Sequence, residues 1–322
     1  MRRHTSLLIA ALCLLLPSLA AQAQTFPNKA ITIVVPFAAG SGTDTVSRLV
    51  GAHLSNALGQ SVVVENKPGA NGILAAQTVA RAAPDGYTLL AATNTTHSAN
   101  PAGMTKNVPY DAVKDFAPVS RVGNYIFALV ITPDVPAKTM PEFLAYAKAN
   151  PGKLTIASGN GTGIVAAETL KHAAGIDLLH VPYKSTPPAV NDMLGGRIAS
   201  MFVDLTTGLP HMQAGKLRPL AVTTLERTRL LPDLPSLNEA AVKNYDITSW
   251  CGLFAPAGTP KEVVDKLNAA LRKIIDSEEV KKRLGDAGFD AFSSSPEELG
   301  KFVQDQLVLW TRLIKQSGIE AQ

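Results

Sequence analysis

The chain has 322 residues, of which 46% are hydrophobic, and its formal net charge is +4. A chain of this length can bury two ordinary hydrophobic cores without the help of disulfide bonds. Its basic excess is slight and its Lys and Arg residues form no cluster, so we exclude a nucleic-acid partner.

The first 23 residues have the pattern of a secretory signal peptide. Arg2 and Arg3 make the basic start, residues 7–16 the apolar core, and residues 21–23 the small-residue cleavage site. This core is too short to anchor the chain in a membrane. We therefore expect cleavage after Ala23 and an exported, soluble protein that begins near Gln24.

Cleavage would also simplify the chemistry of the chain. Loss of the two arginines lowers the formal charge from +4 to about +2. Cys251 is then the one remaining cysteine, and a lone cysteine forms no internal disulfide. The remaining histidines show no zinc-protease spacing, and we expect neither a metal ion nor a cofactor.

Strand-like and helix-like segments alternate from residue 24 to about residue 124. A β-branched run at Ile31–Val35 precedes apolar residues at helical spacing from Val46 to Leu58, with Thr43 or Asp44 placed to cap the first turn. Further strands are expected at 62–64, 87–92 and 118–122, and a helix at 70–83. This βαβ order favours a parallel sheet with helices on both faces.

A second alternating series starts at Tyr125. Its strands are expected at 127–131, 154–157, 178–183, 198–203 and 217–223, and its helices at 141–150, 165–174 and 188–194. After an extended stretch at 245–255 the chain becomes mostly helical, with helices opening at Pro260 and Pro296 and another at 280–284. Such helices need a sheet to cover, and we expect the first unit to provide it.

These segments predict an α/β protein with two domains. The first domain is discontinuous, 24–124 plus 249–322, and the second, 125–248, is inserted in it. Two chain crossings, near Asn124 and near Ser249, would then form a hinge between the domains. The competing model is a single long doubly wound sheet, which leaves the C-terminal helices poorly explained.

The candidate ligand-binding residues follow the strands. Five strand ends are rich in Gly, Ser, Thr or Asn, and each precedes a predicted helix. Ligands of open α/β sheets bind outside the carboxyl ends of the strands, so two facing domains would gather these loops around one cleft. The candidates are Phe37, Ala39, Gly40, Gly42, Thr43, Asp44, Thr93, Asn94, Ser158, Gly159, Asn160, Gly161, Thr162, Tyr183 and Asp204.

The turn from Gly40 to Asp44 is a candidate anion site, because a helix start exposes unpaired backbone N–H groups. A plain strand-to-helix connection is the alternative. No third glycine stands at dinucleotide spacing and no phosphate-loop pattern is present. A helix terminus contributes only about 0.3 to 1 kcal/mol per charge, whereas micromolar binding needs about 8 kcal/mol. Such a site must therefore close on its ligand.

Other side chains near the strand ends allow more than one role. Asp204 could bind a ligand amine or cap a helix. We interpret Asp44 as a helix cap and not as a general base. Ser158 does not fit the nucleophile elbow, which needs a glycine two residues before the serine. His53 and His180 are interpreted as structural.

Several segments resemble the Bug family of extracytoplasmic receptors for tripartite tricarboxylate transporters. The resemblance runs in order through the whole mature chain. The segments are 33–37 with Gly40 and Asp44, 63–70, 83–90, 110–111 with 114–118, 180–184, 214–218 and 255–260.

The resemblance implies a type II periplasmic binding protein fold with a hinge and an inter-domain ligand cleft. It also implies a receptor in the periplasm that presents a small carboxylated solute to membrane permease subunits. We further expect a monomer that is not an enzyme. The first turn, 37–44, and its counterpart, 158–162, would grip the ligand carboxylate, partly through ordered waters.

This chain departs from the family pattern at Val165, at Ser185 and at Val203–Asp204, where the carboxylate is shifted by one residue. A one-residue shift on a strand turns a side chain to the other face, so these departures bear on ligand identity. Two other functions stay open: a ligand-sensing co-receptor for signalling, and a secreted hydrolase using Ser158 or Asp204.

Overall fold

The computed structural model describes residues 26–321, so the predicted signal peptide lies outside the described residues. The elements of the first third, in chain order, are β1 (Ile31–Val35), α1 (Gly42–Leu58), β2 (Val62–Asn66), α2 (Ile73–Ala80), β3 (Thr88–Thr93) and β4 (Phe116–Tyr125). A 3-10 turn at Ala70–Gly72 precedes α2, and a π-helix at Thr95–Met104 follows β3.

The middle of the chain forms a second α/β unit. Its elements are β5 (Phe127–Ile131), α3 (Met140–Ala149), β6 (Thr155–Ser158), α4 (Gly161–Ala174), β7 (Leu179–Pro182), α5 (Thr186–Leu194), β8 (Ser200–Asp204), α6 (Leu205–Gln213), β9 (Arg218–Val222) and α7 (Leu237–Ala240). The last part contains β10 (Ser249–Pro256), α8 (Lys261–Ile275), α9 (Glu278–Asp286), β11 (Phe289–Ala291) and α10 (Pro296–Gln316).

Within residues 26–321, the strands form two sheets and not one. The first has six strands in the order β11-β4-β10-β3-β1-β2, and the second has five in the order β7-β6-β8-β5-β9. The two-domain α/β fold is therefore confirmed, and the competing single-sheet model is wrong. The boundaries 24–124 plus 249–322 and 125–248 stay a prediction.

The prediction of a parallel first sheet is correct only for part of that sheet. Strand β1 pairs in parallel with β2 and β3, but β10 is antiparallel to both β3 and β4, and β11 is antiparallel to β4. The second sheet is mixed as well, because β5 is antiparallel to β8 and β9. The antiparallel strands include those that carry the chain between the sheets.

The two crossings lie side by side. Ile126 alone separates the end of β4 from the start of β5, and Ser249 at the start of β10 pairs with Tyr125. The chain therefore leaves the first sheet and returns to it at neighbouring positions. Motion of one sheet relative to the other would be concentrated at this pair of strands.

Three local predictions are wrong at helix starts. Ser41, and not Thr43 or Asp44, is the N-cap of α1, and its hydroxyl accepts from the Asp44 N–H at 3.3 Å. The helix expected at 70–83 is broken by Asn71, whose φ is +50°. Helix α4 begins at Gly161, four residues earlier than expected, so part of the glycine-rich loop is its first turn.

The C-terminal helices cover the first sheet, as expected. Asn268 of α8 is buried, and its side-chain amide donates to the carbonyl oxygen of Val119 in β4 at 2.7 Å. Helix α10 begins with a capping box formed by Ser295 and Glu298. Within residues 26–321, no helix combines the length and apolar character that crossing a membrane requires.

Candidate functional site

A small cavity lies between the strand ends of the two sheets. Its free volume is about 20 Å³, which is room for about one water molecule. It is lined by Phe37, Ser41, Gly42, Thr43, Thr93, Thr95, Tyr125, Phe127, Asn160, Thr162, Thr186, Asp204 and Ser249. The cavity therefore combines the predicted loops of both α/β units with residues of the two crossings.

The N-terminal turn of α1 forms one wall of the cavity. Glycine at position 40 permits the left-handed φ of +78° that the turn requires. The Asp44 carboxylate holds the turn by accepting from the Gly40 N–H at 2.9 Å and from the Asn66 amide at 2.8 Å. The first N–H groups of α1, at Gly42 and Thr43, have no partner within the helix and lie at the cavity.

The environment of Asp44 explains its charge state. Burial alone would raise the pKa of this carboxyl, but hydrogen bonds from Arg48, Gly40 and Asn66 outweigh burial and lower it. Arg48 also forms an ion pair with Asp44 at 2.9 Å. Asp44 is thus an ionised, fully partnered group that shapes the turn, although it is not the helix cap.

The N-terminal turn of α4 forms the facing wall. Asn160 is the N-cap, and its side-chain oxygen accepts from the Gly163 N–H at 2.9 Å. The Gly161 N–H donates to the hydroxyl of Thr95, which belongs to the first sheet's side of the cleft, at 3.2 Å. Both helices therefore direct their positive ends toward the cavity.

Further hydrogen bonds join the two sides of the cleft. The Asn94 amide donates to the Thr162 hydroxyl at 2.8 Å, and the Ala38 N–H donates to the Ser185 hydroxyl at 3.1 Å. These two contacts describe a closed arrangement of the cleft. On the first sheet's side, the Ser249 hydroxyl donates to the side-chain oxygen of Asn94.

Asp204 is buried at the end of β8, with 4% of its surface exposed. Its Oδ1 accepts from both the N–H and the hydroxyl of Thr207 at 2.9 Å, so Asp204 caps α6. Burial raises its pKa, and the hydrogen bonds from Thr207 oppose that rise. Of the two roles that the sequence left open, capping is observed, and the side chain also lines the cavity.

Two buried hydroxyls at the cavity have no hydrogen-bond partner among the described residues. They are the phenol of Tyr125 and the hydroxyl of Thr93. Buried polar groups are nearly always satisfied, so a ligand atom or a water molecule is the expected partner of each. Burial raises the pKa of Tyr125 well above its ordinary value, so this phenol remains neutral.

Some predicted residues point elsewhere. The Ser158 hydroxyl lies 2.6 Å from Nε2 of His180, and the Tyr183 hydroxyl donates to Asp192 at 2.6 Å. Ala39 and Gly40 are exposed at the outside of the turn. Gly159 packs against the backbone of Thr186, where an added Cβ would approach the Thr186 nitrogen to 2.4 Å.

The sequence candidates omitted six residues that line the cavity: Ser41, Thr95, Tyr125, Phe127, Thr186 and Ser249. Three of them, Ser41, Thr95 and Thr186, belong to strand-end loops that were recognised, one to three residues from the chosen positions. The other three, Tyr125, Phe127 and Ser249, lie at the crossings. A hinge between two domains borders the cleft, so the predicted crossings were themselves a signal for these residues.

Two α/β domains joined by adjacent crossings, with two helix N-termini facing each other across a polar cleft, define a binding protein of the type II periplasmic class. Comparison with known protein families identifies the family to which this class of protein belongs here. The chain belongs to the tripartite tricarboxylate transporter receptor family, TctC, whose model matches residues 46–319. The predicted membership among Bug receptors is confirmed.

Individual relatives agree with the family assignment. A protein from the tcbD-tcbE intergenic region of Pseudomonas sp. strain P51 is 37% identical over 299 residues, which are 92% of this chain and 88% of that protein. The structure of Rpa4515 from R. palustris with adipate has a TM-score of 0.90 at 33% identity and covers 92% of this chain and 100% of its own. MatC of Rhodopseudomonas palustris with bound malate has a TM-score of 0.84 at 34% identity, covering 90% and 100%.

Proposed function

We propose that this protein captures a small organic acid in the cleft between its two domains and delivers it to the membrane permease subunits of a tripartite tricarboxylate transporter. The observation that carries the proposal is the convergence of the α1 and α4 N-termini on one buried polar cavity. Adipate and malate, bound by two relatives of similar structure, are both carboxylates.

The mechanism follows from the weakness of each helix terminus alone. The N–H groups of Gly42 and Thr43 on one wall and the first turn of α4 on the other attract a carboxylate from opposite sides. The hydroxyls of Thr93 and Tyr125 add donors that are unpaired within the described residues. Closure then excludes water, so that several weak interactions together reach useful affinity.

A ligand screen tests this proposal. Thermal unfolding is measured with mono-, di- and tricarboxylates and amino acids, and a native-state ligand at 100 times its dissociation constant should add roughly 2.7 kcal/mol of stability. Mass spectrometry of the denatured protein identifies any acid retained through purification. No shift with any acid, and no retained acid, would contradict the proposal.

Delivery to a permease requires a test in cells. A deletion strain should import the identified acid more slowly than its parent, and the gene should restore uptake. Normal uptake by the deletion strain would instead favour a co-receptor that reports the ligand to a signalling system.

We also propose that the protein is exported to the periplasm, where it works as a monomer after removal of residues 1–23. N-terminal sequencing of the protein from a periplasmic extract should begin near Gln24. Light scattering coupled to size-exclusion chromatography should give the mass of one mature chain. The mass of a dimer at micromolar protein concentration would contradict the proposed monomeric state.

We propose that the protein is not an enzyme, although Ser158 and His180 stand at the distance of a nucleophile and its base. Ser158 is only 1% exposed, so a substrate could not reach its hydroxyl in this arrangement. Burial lowers the pKa of His180, which suits a packed neutral imidazole as well as a base. Ester hydrolysis lost in Ser158→Ala would contradict this proposal.

A further inference from the structure

Asp204 gives the cavity an unusual charge. Among the described residues that line it, Asp204 is the only one with a formal charge at neutral pH, and none is a Lys, Arg or His. The proposed site for an organic acid therefore contains a carboxylate of the protein itself. Acids with further negative groups would meet repulsion from this side chain.

The hydrogen bonds of Asp204 leave room for a partner. Within the described residues, the N–H and hydroxyl of Thr207 donate to Oδ1 at 2.9 Å, and the hydroxyl also lies 3.2 Å from Oδ2. The backbone N–H of Asp204 itself also hydrogen-bonds the carboxylate. An ionised carboxylate can accept about four hydrogen bonds from several directions. A buried carboxylate without a cation is unfavourable, and a cationic donor on the ligand would remove that cost.

Gly42 places the first turn of α1 beside the carboxylate of Asp204. A Cβ added to Gly42 would lie 2.4 Å from Oδ1 of Asp204, so the first turn of α1 and this carboxylate are direct neighbours. The N–H groups of that turn suit the carboxylate of a ligand. A cationic group within one or two bonds of the ligand carboxylate could therefore face Asp204 while the carboxylate faces α1.

We infer that Asp204 makes this cleft selective for organic acids that carry an amino group close to the carboxylate, over otherwise identical acids without it. This inference rests on the proposed function and names the ligand class of the same site. The negative end of the ligand faces the helix termini, and its ammonium faces Asp204. The ligand ammonium then neutralises the charge of Asp204 within the closed cleft.

Matched ligand pairs test the inference on the purified full mature chain. Calorimetric titration compares alanine with propionate, aspartate with succinate, and glutamate with glutarate, at neutral pH. In at least one pair the amino acid should bind tenfold or more tightly than its partner. Equal or tighter binding of the partner in every pair that binds would overturn the inference while leaving the proposed function intact.

Two variants assign the selectivity to Asp204. Asp204→Asn keeps an N-cap oxygen for α6 but removes the charge, and should reduce the amino-acid preference at least tenfold. Asp276→Asn is the control. It removes a carboxylate at the end of α8, which accepts from the Ser293 hydroxyl, and it should leave the amino-acid preference unchanged. Asp204→Ser, also a good cap, replaces Asp204→Asn if that variant does not fold.

The remaining outcomes are also decisive. An undiminished preference in Asp204→Asn overturns the inference, because the selectivity would then arise elsewhere. Absence of binding by every member of the three pairs and by every acid of the wider screen overturns the proposed function and the inference together. Circular dichroism of each variant separates loss of binding from loss of fold.

Discussion

The amide of Asn94 lies 2.8 Å from the hydroxyl of Thr162, and this contact joins the two walls of the ligand cleft. Asn94 follows β3 of the first sheet, whereas Thr162 lies in the first turn of α4 beside the second sheet. Because the Thr162 hydroxyl also donates to Asn94 Oδ1 at 3.1 Å, the pair is reciprocal. Direct protein contacts therefore help to hold the cleft closed.

Removing this contact should favour the open cleft. A net hydrogen bond is worth about 0.5 to 1.5 kcal/mol, so Thr162→Val should weaken ligand binding roughly 2- to 13-fold. Small-angle scattering should show a larger radius of gyration for the variant at subsaturating ligand. The control is Thr311→Val in α10, where the hydroxyl bonds its own helix at Leu307. Equal affinities of both variants would contradict this role.

A methyl group at position 42 should obstruct closure. In Gly42→Ala the new Cβ would lie 2.4 Å from Asp204 Oδ1 and 3.3 Å from Thr206 Cβ. Overpacking of this kind costs about 1 to 3 kcal/mol, which corresponds to roughly 5- to 150-fold weaker binding. Opening of the cleft relieves the clash, so the unfolding temperature should change little.

Gly285→Ala in α9 provides the matched glycine, because a Cβ there meets no atom within 4 Å. Titration calorimetry with the identified ligand should show its affinity unchanged. Wild-type affinity in Gly42→Ala would mean that the α1 turn and Asp204 separate in the ligand-bound state.

His97 should make the protein sensitive to acid. Its ring is fully buried between Phe116 and Phe254, with centroid distances of 4.6 and 4.5 Å, and burial lowers its pKa to about 3. Below its ordinary pKa of 6.5, the unfolded state takes up a proton that the native state refuses until about pH 3. The free energy of unfolding should therefore decrease as the pH is lowered through this window. Between pH 7 and pH 5, His97 should account for about 2 kcal/mol of the decrease.

Urea unfolding at pH 7 and pH 5 checks the His97 prediction. His97→Gln should lose about 2 kcal/mol less than the wild type over this interval, whatever its absolute stability. His172→Gln, on the exposed side of α4, should keep the wild-type difference. An unchanged pH difference in His97→Gln would show that other groups cause the acid sensitivity.

Ser158 should matter for stability more than for binding. Its hydroxyl is engaged with His180 and not with the cavity, so Ser158→Ala should lower the free energy of unfolding by about 0.5 to 1.5 kcal/mol. Ligand affinity should stay within about twofold, a change of roughly 0.4 kcal/mol. A tenfold loss of affinity in a variant with wild-type stability would place Ser158 at the ligand instead.

The charge on Asp204 should make ligand binding depend on pH. Burial raises the pKa of Asp204, and protonation would remove its attraction for an amino group. Affinity for an amino acid should therefore fall as the pH is lowered through that pKa. Among the described residues that line the cavity, Tyr125 is the other titratable group, and its raised pKa keeps it neutral over this range. Calorimetry across acidic pH should give a flatter profile for Asp204→Asn, and identical profiles would argue against an ionised Asp204.

The sequence alone determined the family and the order of most elements, although it missed the short α7 and β11. Strand and helix periods and turn residues placed β1, β5 and the start of α10 at their observed positions, because these signals are local. The concentration of small polar residues after the strands also located the loops of the cleft. These features need no knowledge of what packs against them.

Only the tertiary structure decided which side chain of each loop faces the cavity. Ser41 caps α1 while Asp44 holds the turn from inside, and Ser158 faces His180 across neighbouring strands. Tyr125 and Ser249 enter the site because β4 and β10 pair at the crossings. Neighbouring residues of a strand point to opposite faces, so an error of one position selects the wrong side chain. Contacts across a cleft join residues far apart in sequence. Such relationships are fixed by the packing of the two domains, and local sequence does not encode them.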